Sequence, residues 1–349
     1  MSRRRKAVRT DRELECPGID AGLRAADCDL VTLPEGVSED ELIAALREAD
    51  LLLMCYTPVT ARVIAAAEKL KGIVKYGVGI DAIDINAAIA RGIPVVNVPD
   101  YAEETVAEGA FALMIALAKK LMPIGREMAA KGWAWPTSGW RGIDLAGRTL
   151  GLVGTGRIGR SMARMAAGFR TRVVGYDPYV AADIMQAAGI EKVDSLDELL
   201  ATSDVVSLHA VLNRATRHLI GARELAAMKP SAFLINTARG ALIDEAALVA
   251  ALREKRIAGA ALDVYAQEPL HAGHPMSALF SMDNVILLPH LTFYTEEAMA
   301  RLEAETLARC MEILEGRPVM VKSHDPRLRA QRHGVIFADE GRAPPAQSG

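Results

Sequence analysis

At 349 residues, 51% of them hydrophobic and 24% charged, the chain is long enough for two domains and too apolar for wholesale disorder. Its 41 basic and 44 acidic side chains leave a net charge of −3, which offers no general attraction to nucleic acid or to an anionic membrane. The scattered cysteines (Cys16, Cys28, Cys55, Cys310) argue against a zinc site or a disulfide framework, and no apolar run fits a membrane span or secretory leader; a cytoplasmic protein without a metal is expected.

The basic run Arg3-Arg4-Arg5-Lys6 reads as a solvated end. Beyond it, short aliphatic runs alternate with helical patterns, the signature of parallel sheets joined by crossover helices. In the first hundred residues strands are expected at 31–33, 50–54, 72–75 and 94–97, and helices at 39–48, 61–69 and 86–91. Ser38 is placed to cap the first of these helices, with acidic side chains at the favourable end of its dipole. A long helix over 103–121 leads into a more regular series. Its strands fall at 150–153, 172–176, 204–208, 232–236, 259–262 and 285–288, with helices at 157–167, 197–201, 222–228 and 244–253. Each strand is a continuous apolar run, as where both faces of a parallel sheet are covered. A helix over 295–314 returns the chain to the first unit. The expected organisation is a discontinuous domain of residues 1–102 and 293–325, a second domain of residues 103–292, and a mobile tail over 326–349, which holds little to bury.

Directly after the strand at 150–153 stands Gly154-Thr155-Gly156-Arg157-Ile158-Gly159, leading into a helical run. The glycines allow a tight turn, a close approach of backbone N–H groups to a pyrophosphate, and close helix–strand packing, with the helix dipole favouring the phosphate charge. Such a pattern alone is weak; its frame strengthens it. Asp177 closes the next strand, where an acid accepts from the ribose hydroxyls of NAD and repels the 2′-phosphate of NADP. Tyr176, Pro178 and Tyr179 supply no cation for that phosphate. The plainer reading of Asp177 is a turn cap before Pro178. The complete strand–turn–helix–strand frame favours a dinucleotide, and NAD over NADP.

Ligands of open α/β sheets bind at the carboxyl ends of strands. There the second series carries Arg239, then Asp263 and Glu268, then His290. A cation, two acids and an imidazole on one edge suit hydride transfer to a 2-oxo acid. Histidine exchanges the proton, a carboxylate on its other nitrogen sets the tautomer, and arginine grips a carboxylate with two bonds. His290 is assigned as acid/base, Glu268 as its orienting partner and Arg239 as substrate clamp. Asp263 is placed against the cofactor's nicotinamide amide. Singly, each has a plain alternative: Arg239 as an exposed turn residue, Glu268 as loop decoration, His290 as a satisfied strand-end histidine, Asp263 as a turn cap. His209 also ends a strand and is a rival base; lacking a nearby acid, it is read as structural or cofactor-side. Lys75-Tyr76-Gly77-Val78-Gly79-Ile80-Asp81 is a glycine-rich loop able to hold a carboxylate on its N–H groups, or a plain strand-to-helix turn.

These stretches, with Met228-Lys229-Pro230, Asn236-Thr237-Ala238-Arg239-Gly240, Ala261-Leu262-Asp263-Val264, Glu268-Pro269 and Pro289-His290 followed by Tyr294-Thr295, resemble the D-isomer-specific 2-hydroxyacid dehydrogenases. Within them the chain is most similar to the branch of carboxy-terminal-binding-protein-like dehydrogenases. The resemblance covers residues 8–321. It implies a Rossmann-like nucleotide-binding domain, a flavodoxin-like substrate domain, NAD as cofactor, a small 2-oxo or 2-hydroxy acid as substrate, and a homodimer paired through the nucleotide-binding domains. It places the family's arginine, glutamate and histidine on Arg239, Glu268 and His290, its carboxylate loop on Val78 and Gly79, and its cofactor positions on Thr105, Arg157, Ile158, Asp177, Thr216, Ala238 and Asp263. The chain departs from the pattern at Val211, where a proline is usual, and at Leu291 and Thr292 after the histidine. Cys55 and Tyr56 fall where the family varies, leaving the substrate open. Two other readings stand beside a dehydrogenase: an NAD-binding co-repressor-like scaffold with little turnover, and a phosphite-type dehydrogenase.

Overall fold

Runs such as Leu51–Met54 and Thr149–Val153, buried at every residue, form strands only where helices cover both sheet faces. The computed structural model, which describes residues 3–271 and 273–339, places them in two parallel sheets. By its contacts the chain divides into Met1–Ala102 with Thr295–Gly349, and Glu103–Tyr294.

The first unit alternates β1 (Arg5–Arg9), α1 (Pro17–Ala25), β2 (Cys28–Thr32), α2 (Glu39–Leu46), β3 (Leu51–Met54), α3 (Ala61–Ala66), β4 (Gly72–Lys75), α4 (Ile85–Ala90) and β5 (Val95–Asn97). Its sheet runs β2-β1-β3-β4-β5, so the winding direction reverses between β1 and β3. Ser38 caps α2 through a reciprocal pair with Glu41. The basic start of the chain is not simply a solvated end: Arg5–Arg9 lies between β2 and β3, with Ala7 and Val8 fully buried. Paired acids make this possible, since a charge enters a core at tolerable cost only with a partner. Arg9 donates to both oxygens of Asp20, at 2.8 and 3.0 Å, and Arg3 meets Asp50 at 2.9 Å.

The second unit comprises α5 (Glu103–Ala118), α6 (Leu121–Lys131), β6 (Thr149–Val153), α7 (Arg157–Ala167), β7 (Arg172–Tyr176), α8 (Ala182–Ala187), β8 (Glu191–Lys192), α9 (Leu196–Thr202), β9 (Val205–Leu208), α10 (Ala222–Ala227), β10 (Phe233–Asn236), α11 (Glu245–Arg253), β11 (Gly259–Leu262) and β12 (Val285–Leu287). The parallel sheet has the order β12-β11-β10-β9-β6-β7-β8. The single helix expected over 103–121 breaks at Lys120, whose φ is 52°. There Ile143 N–H donates to the Ala118 carbonyl at 2.8 Å, satisfying a group that a continuing helix would have used. Among the described residues no helix is long and apolar enough to cross a membrane.

The chain then returns to the first unit through α12 (Glu296–Leu314), β13 (Val319–Val321), α13 (Pro326–Arg329) and β14 (Val335–Phe337). Glu303 of α12 accepts from the Gly18 N–H of α1 at 3.0 Å. Residues 326–339, read from composition as part of a mobile tail, are instead packed in this unit. Leu328 is fully buried, β14 pairs with β13, and the Gln331 amide bonds both the N–H and the carbonyl of Val95. A side-chain amide completing a strand edge is invisible to sequence reading, but the short apolar run Val335–Phe337 was a signal the composition reading passed over. Residues 340–349 of that expected tail lie outside the described residues.

Candidate active site

In the second unit every strand of the sheet ends on the same edge, and the polar groups gather there. β6 turns sharply at Gly154, where φ is +90° and a Cβ would stand 2.6 Å from the Ala210 nitrogen. Only glycine fits this turn. Gly156 precedes α7 with no side-chain cap on the helix, and a Cβ there would meet nothing within 4 Å. Protein packing therefore does not demand the second glycine; it leaves open space above uncapped N–H groups, the donor set a phosphate needs. Gly159 begins the close packing of α7 onto that turn, and Ile158 packs on the apolar cluster beneath it.

Asp177, at the end of β7, accepts from Thr155 N–H and Tyr179 N–H, both at 2.9 Å. It thus both caps its own turn and ties down the glycine turn, and an ionised carboxylate retains capacity for two further hydroxyl donors. Arg157 pairs with Glu103 at 2.5 Å, and Thr105 is buried in the same helix, α5. Thr216 is engaged in its own loop, donating to the Val211 carbonyl at 2.7 Å. His209 Nε2 lies 2.9 Å from Ser207 Oγ and 3.3 Å from Met162 Sδ. Burial pushes its imidazole down to about 4, so it is neutral near pH 7 and poorly suited to proton exchange there.

The Asn236 side chain shapes the turn after β10. Its Nδ2 donates to the Arg239 carbonyl at 2.9 Å and its Oδ1 accepts from Ala238 N–H at 3.1 Å. Arg239 Nη1 donates to the Ala238 carbonyl at 2.6 Å. Gly240 then abuts the loop after β11 so closely that a Cβ would stand 1.8 Å from the Tyr265 carbonyl carbon. That contact sets the Arg239 turn against the loop carrying Glu268. Glu268 uses Oε1 to accept from Tyr265 N–H at 2.8 Å, and its Oε2 lies 2.7 Å from His290 Nδ1. Both side chains are about 30% exposed, at 30% for His290 and 28% for Glu268, open enough to meet a ligand.

His290 has a left-handed backbone, φ 59°. What holds it is Asp263, fully buried, which accepts from Leu291 N–H at 2.8 Å, Thr292 N–H at 3.0 Å and Thr292 Oγ at 2.5 Å. Sequence reasoning placed Asp263 against a cofactor and missed this tie; the Thr292 hydroxyl, noted only as a departure, was its signal. Tyr265 and Asn236 were also missed. The Tyr265 hydroxyl donates to the Leu288 carbonyl at 2.8 Å and fastens the Glu268 loop to the end of β12. Among the described residues the buried Thr155 and Thr237 hydroxyls, at the glycine turn and just before Ala238, have no hydrogen-bond partner. The donor set and open turn fit a dinucleotide.

In the first unit Val78 and Gly79 follow β4 after Tyr76 and Gly77. Val78 is exposed and its carbonyl accepts from Asn97 Nδ2 at 2.6 Å, while Val98 N–H donates to Gly77. The loop is held from behind by β5.

Residues 111–292 match the family model described as D-isomer specific 2-hydroxyacid dehydrogenase, NAD binding domain. The chain is 40% identical over 307 residues to a D-3-phosphoglycerate dehydrogenase of Methanocaldococcus jannaschii, covering 88% of this chain and 57% of that relative. It therefore spans little more than half of that protein's length. A glyoxylate reductase of Korarchaeum cryptofilum is 42% identical, over 78% of this chain and 81% of its own. Among solved structures, a D-lactate dehydrogenase from Aquifex aeolicus complexed with NAD and lactic acid superposes with a TM-score of 0.80 at 30% identity, covering 89% of this chain and 96% of that one.

Proposed function

The chain belongs to the D-isomer-specific 2-hydroxyacid dehydrogenase family, and from that premise we propose that it is an NAD-dependent oxidoreductase acting on a small D-2-hydroxy acid and its 2-oxo partner, of the glyoxylate, hydroxypyruvate or pyruvate kind. The observation that carries this reading is the 2.7 Å contact between His290 Nδ1 and Glu268, on the strand edge that also holds Arg239 and the glycine turn.

NAD supplies or accepts the hydride at its nicotinamide ring. Glu268 engages Nδ1 of His290 and fixes the tautomer, which leaves Nε2 as the nitrogen that gives a proton to the developing alkoxide or takes it back. Arg239 grips the substrate carboxylate and carbonyl, holding C2 in place. The N–H groups of Val78 and Gly79 add donors for the carboxylate. Gly154, Gly156 and the start of α7 carry the pyrophosphate, and Asp177 the ribose hydroxyls. In this reading residues 103–292 bind the nucleotide, and residues 1–102 with 293–325 serve the substrate.

Two further parts of the reading rest on surfaces and thiols. Leu121, Met122, Met128, Trp133, Trp135 and Phe280 are all exposed, and large apolar side chains left at a surface suit a protein–protein contact. This exposure supports a homodimer through the nucleotide-binding unit, which sedimentation would reveal as twice the chain mass. Four free, buried cysteines support a reducing, cytoplasmic location. The decisive experiment is a spectrophotometric screen of NADH oxidation against a panel of 2-oxo acids. Turnover on at least one is expected, and none on any would leave a cofactor-binding scaffold instead.

A further inference from the structure

In the first unit, at the carboxyl ends of β3 and β4, the Lys75 ammonium lies 3.0 Å from the thiol of Cys55. Both residues are 94% buried, each with 6% relative exposure. Among the described residues no carboxylate lies within 4.0 Å of Lys75 Nζ; it also packs against Gly77 and lies 5.4 Å from the centre of the Tyr56 ring. An ammonium buried without an acid is a costly arrangement that structural packing alone does not favour. The sulfur is held just as firmly. Cys55 N–H donates to Asp11 at 2.9 Å, and its thiol donates to the Tyr76 carbonyl at 3.3 Å, which turns the sulfur lone pairs toward Lys75.

We propose that Cys55 and Lys75 form an oxidation-dependent covalent link, a sulfur–nitrogen bond made when a peroxide oxidises the thiol and the neighbouring amine captures the product. In the first step the sulfur attacks peroxide: the O–O bond breaks, an S–O bond forms, and one water leaves, giving a sulfenic acid. In the second step Lys75 Nζ, having released its extra proton to solvent, attacks that sulfur. The S–N bond forms, the S–O bond breaks, and the oxygen departs as water with a proton from the nitrogen. Sulfur is oxidised by two electrons and peroxide is reduced by two; the pair loses two hydrogens in all. Two equivalents of a thiol reverse the change. Burial pushes the Cys55 thiol up, and Lys75 is the largest influence opposing that rise; its amine, 3.0 Å from the sulfur, is the group placed to trap the oxidised product.

The link has a consequence for the adjoining loop, and this part rests on the proposed function. Lys75 Nζ packs under Gly77, where a Cβ would stand 2.9 Å from it, and Gly77 leads into Val78 and Gly79. Bonding to sulfur draws Nζ toward Cys55 and removes its positive charge beneath the proposed carboxylate loop. Oxidation therefore weakens substrate binding and leaves nucleotide binding intact.

The test is peroxide treatment of the full chain, proteolytic digestion and mass spectrometry. The expected product is a peptide pair joined through Cys55 and Lys75 with two hydrogens missing, released by dithiothreitol and absent from Cys55→Ser. Lys75→Arg keeps the charge but lacks the nucleophilic amine, so it should carry a sulfenic acid trapped by dimedone and no link. Unlinked Cys55 in the treated wild-type protein, or sulfenic acid to the same extent in wild type and Lys75→Arg, overturns the proposal. In the linked protein KM for the 2-oxo acid should rise about tenfold or more, while NADH affinity by fluorescence titration stays unchanged. A link without that rise overturns its regulatory role. Absence of turnover in the untreated protein would sink the dehydrogenase reading and leave the mass result standing.

Discussion

The two units share an architecture and differ in what they do with the backbone N–H groups at their strand ends. After β3 the N–H groups of Cys55, Tyr56 and Thr57 all point at one carboxylate oxygen of buried Asp11, at 2.9, 3.0 and 3.4 Å, while Thr60 caps α3 and Asp84 caps α4. After β6 the corresponding turn is glycine, and α7 begins with no side-chain cap. After β3 Asp11 takes three backbone donors at once, whereas at the glycine turn Asp177 takes only Thr155 N–H and the helix start has no side-chain cap. A parallel sheet thus presents backbone donors at both strand ends, and the side chains around each turn decide how many of them are already satisfied.

That contrast can be broken most severely at His290, the proposed proton-exchanging residue. His290→Ala should lower kcat by roughly 10²–10⁴ with NADH binding retained; a near-normal rate, read in the same NADH oxidation assay, would remove the histidine from the chemistry. Next in size is the internal anion. Asp11→Asn should destabilise the protein by about 2–3 kcal/mol in urea unfolding, because several buried donors lose a charged acceptor, and it should leave NADH affinity unchanged. If the stability holds, the first unit does not depend on its own anion.

A smaller effect separates His209 from His290. The folded protein protonates His209 only near 4, against 6.5 for an unperturbed imidazole. The unfolded chain therefore takes up more protons between those values, and stability falls as pH drops through that window. For a half-buried ring the loss is about 2 kcal/mol. Unfolding curves of wild type and His209→Gln from pH 7 to 4.5 should converge as the pH falls, and parallel curves would contradict the assigned state. Last, Asp177→Ala should weaken NAD about tenfold and NADP less, with little change in stability. An equal loss for both nucleotides would reduce Asp177 to the turn cap that its bonds to Thr155 and Tyr179 already describe.

Much of the molecule is legible in its residues alone. Uniformly apolar runs announced parallel strands, since only a sheet covered on both faces buries every residue of a strand. The residues just past each strand included Arg239, Glu268 and His290, and parallel strands share one carboxyl edge, so these three were expected together. Other elements were illegible for equally physical reasons. The run Arg3-Arg4-Arg5-Lys6 reads as a solvated end because the acid that meets it, Asp50, is distant in sequence. The break at Lys120 is met by a donor from Ile143, and residues 326–339 are held by buried Leu328, the pairing of β14 with β13 and Gln331 reaching Val95.

The chain's local chemistry by itself determined the alternation of strand and helix, the glycine turn, and which polar side chains stand at strand ends. These arise from periodicity and backbone freedom, which act over a few residues. Tertiary structure alone decided that Asp263 grips the backbone after His290, that Gly240 presses on the Glu268 loop, and that Lys75 meets Cys55. Such contacts join segments many residues apart, and only the register of the sheet and the packing beneath it sets their distances.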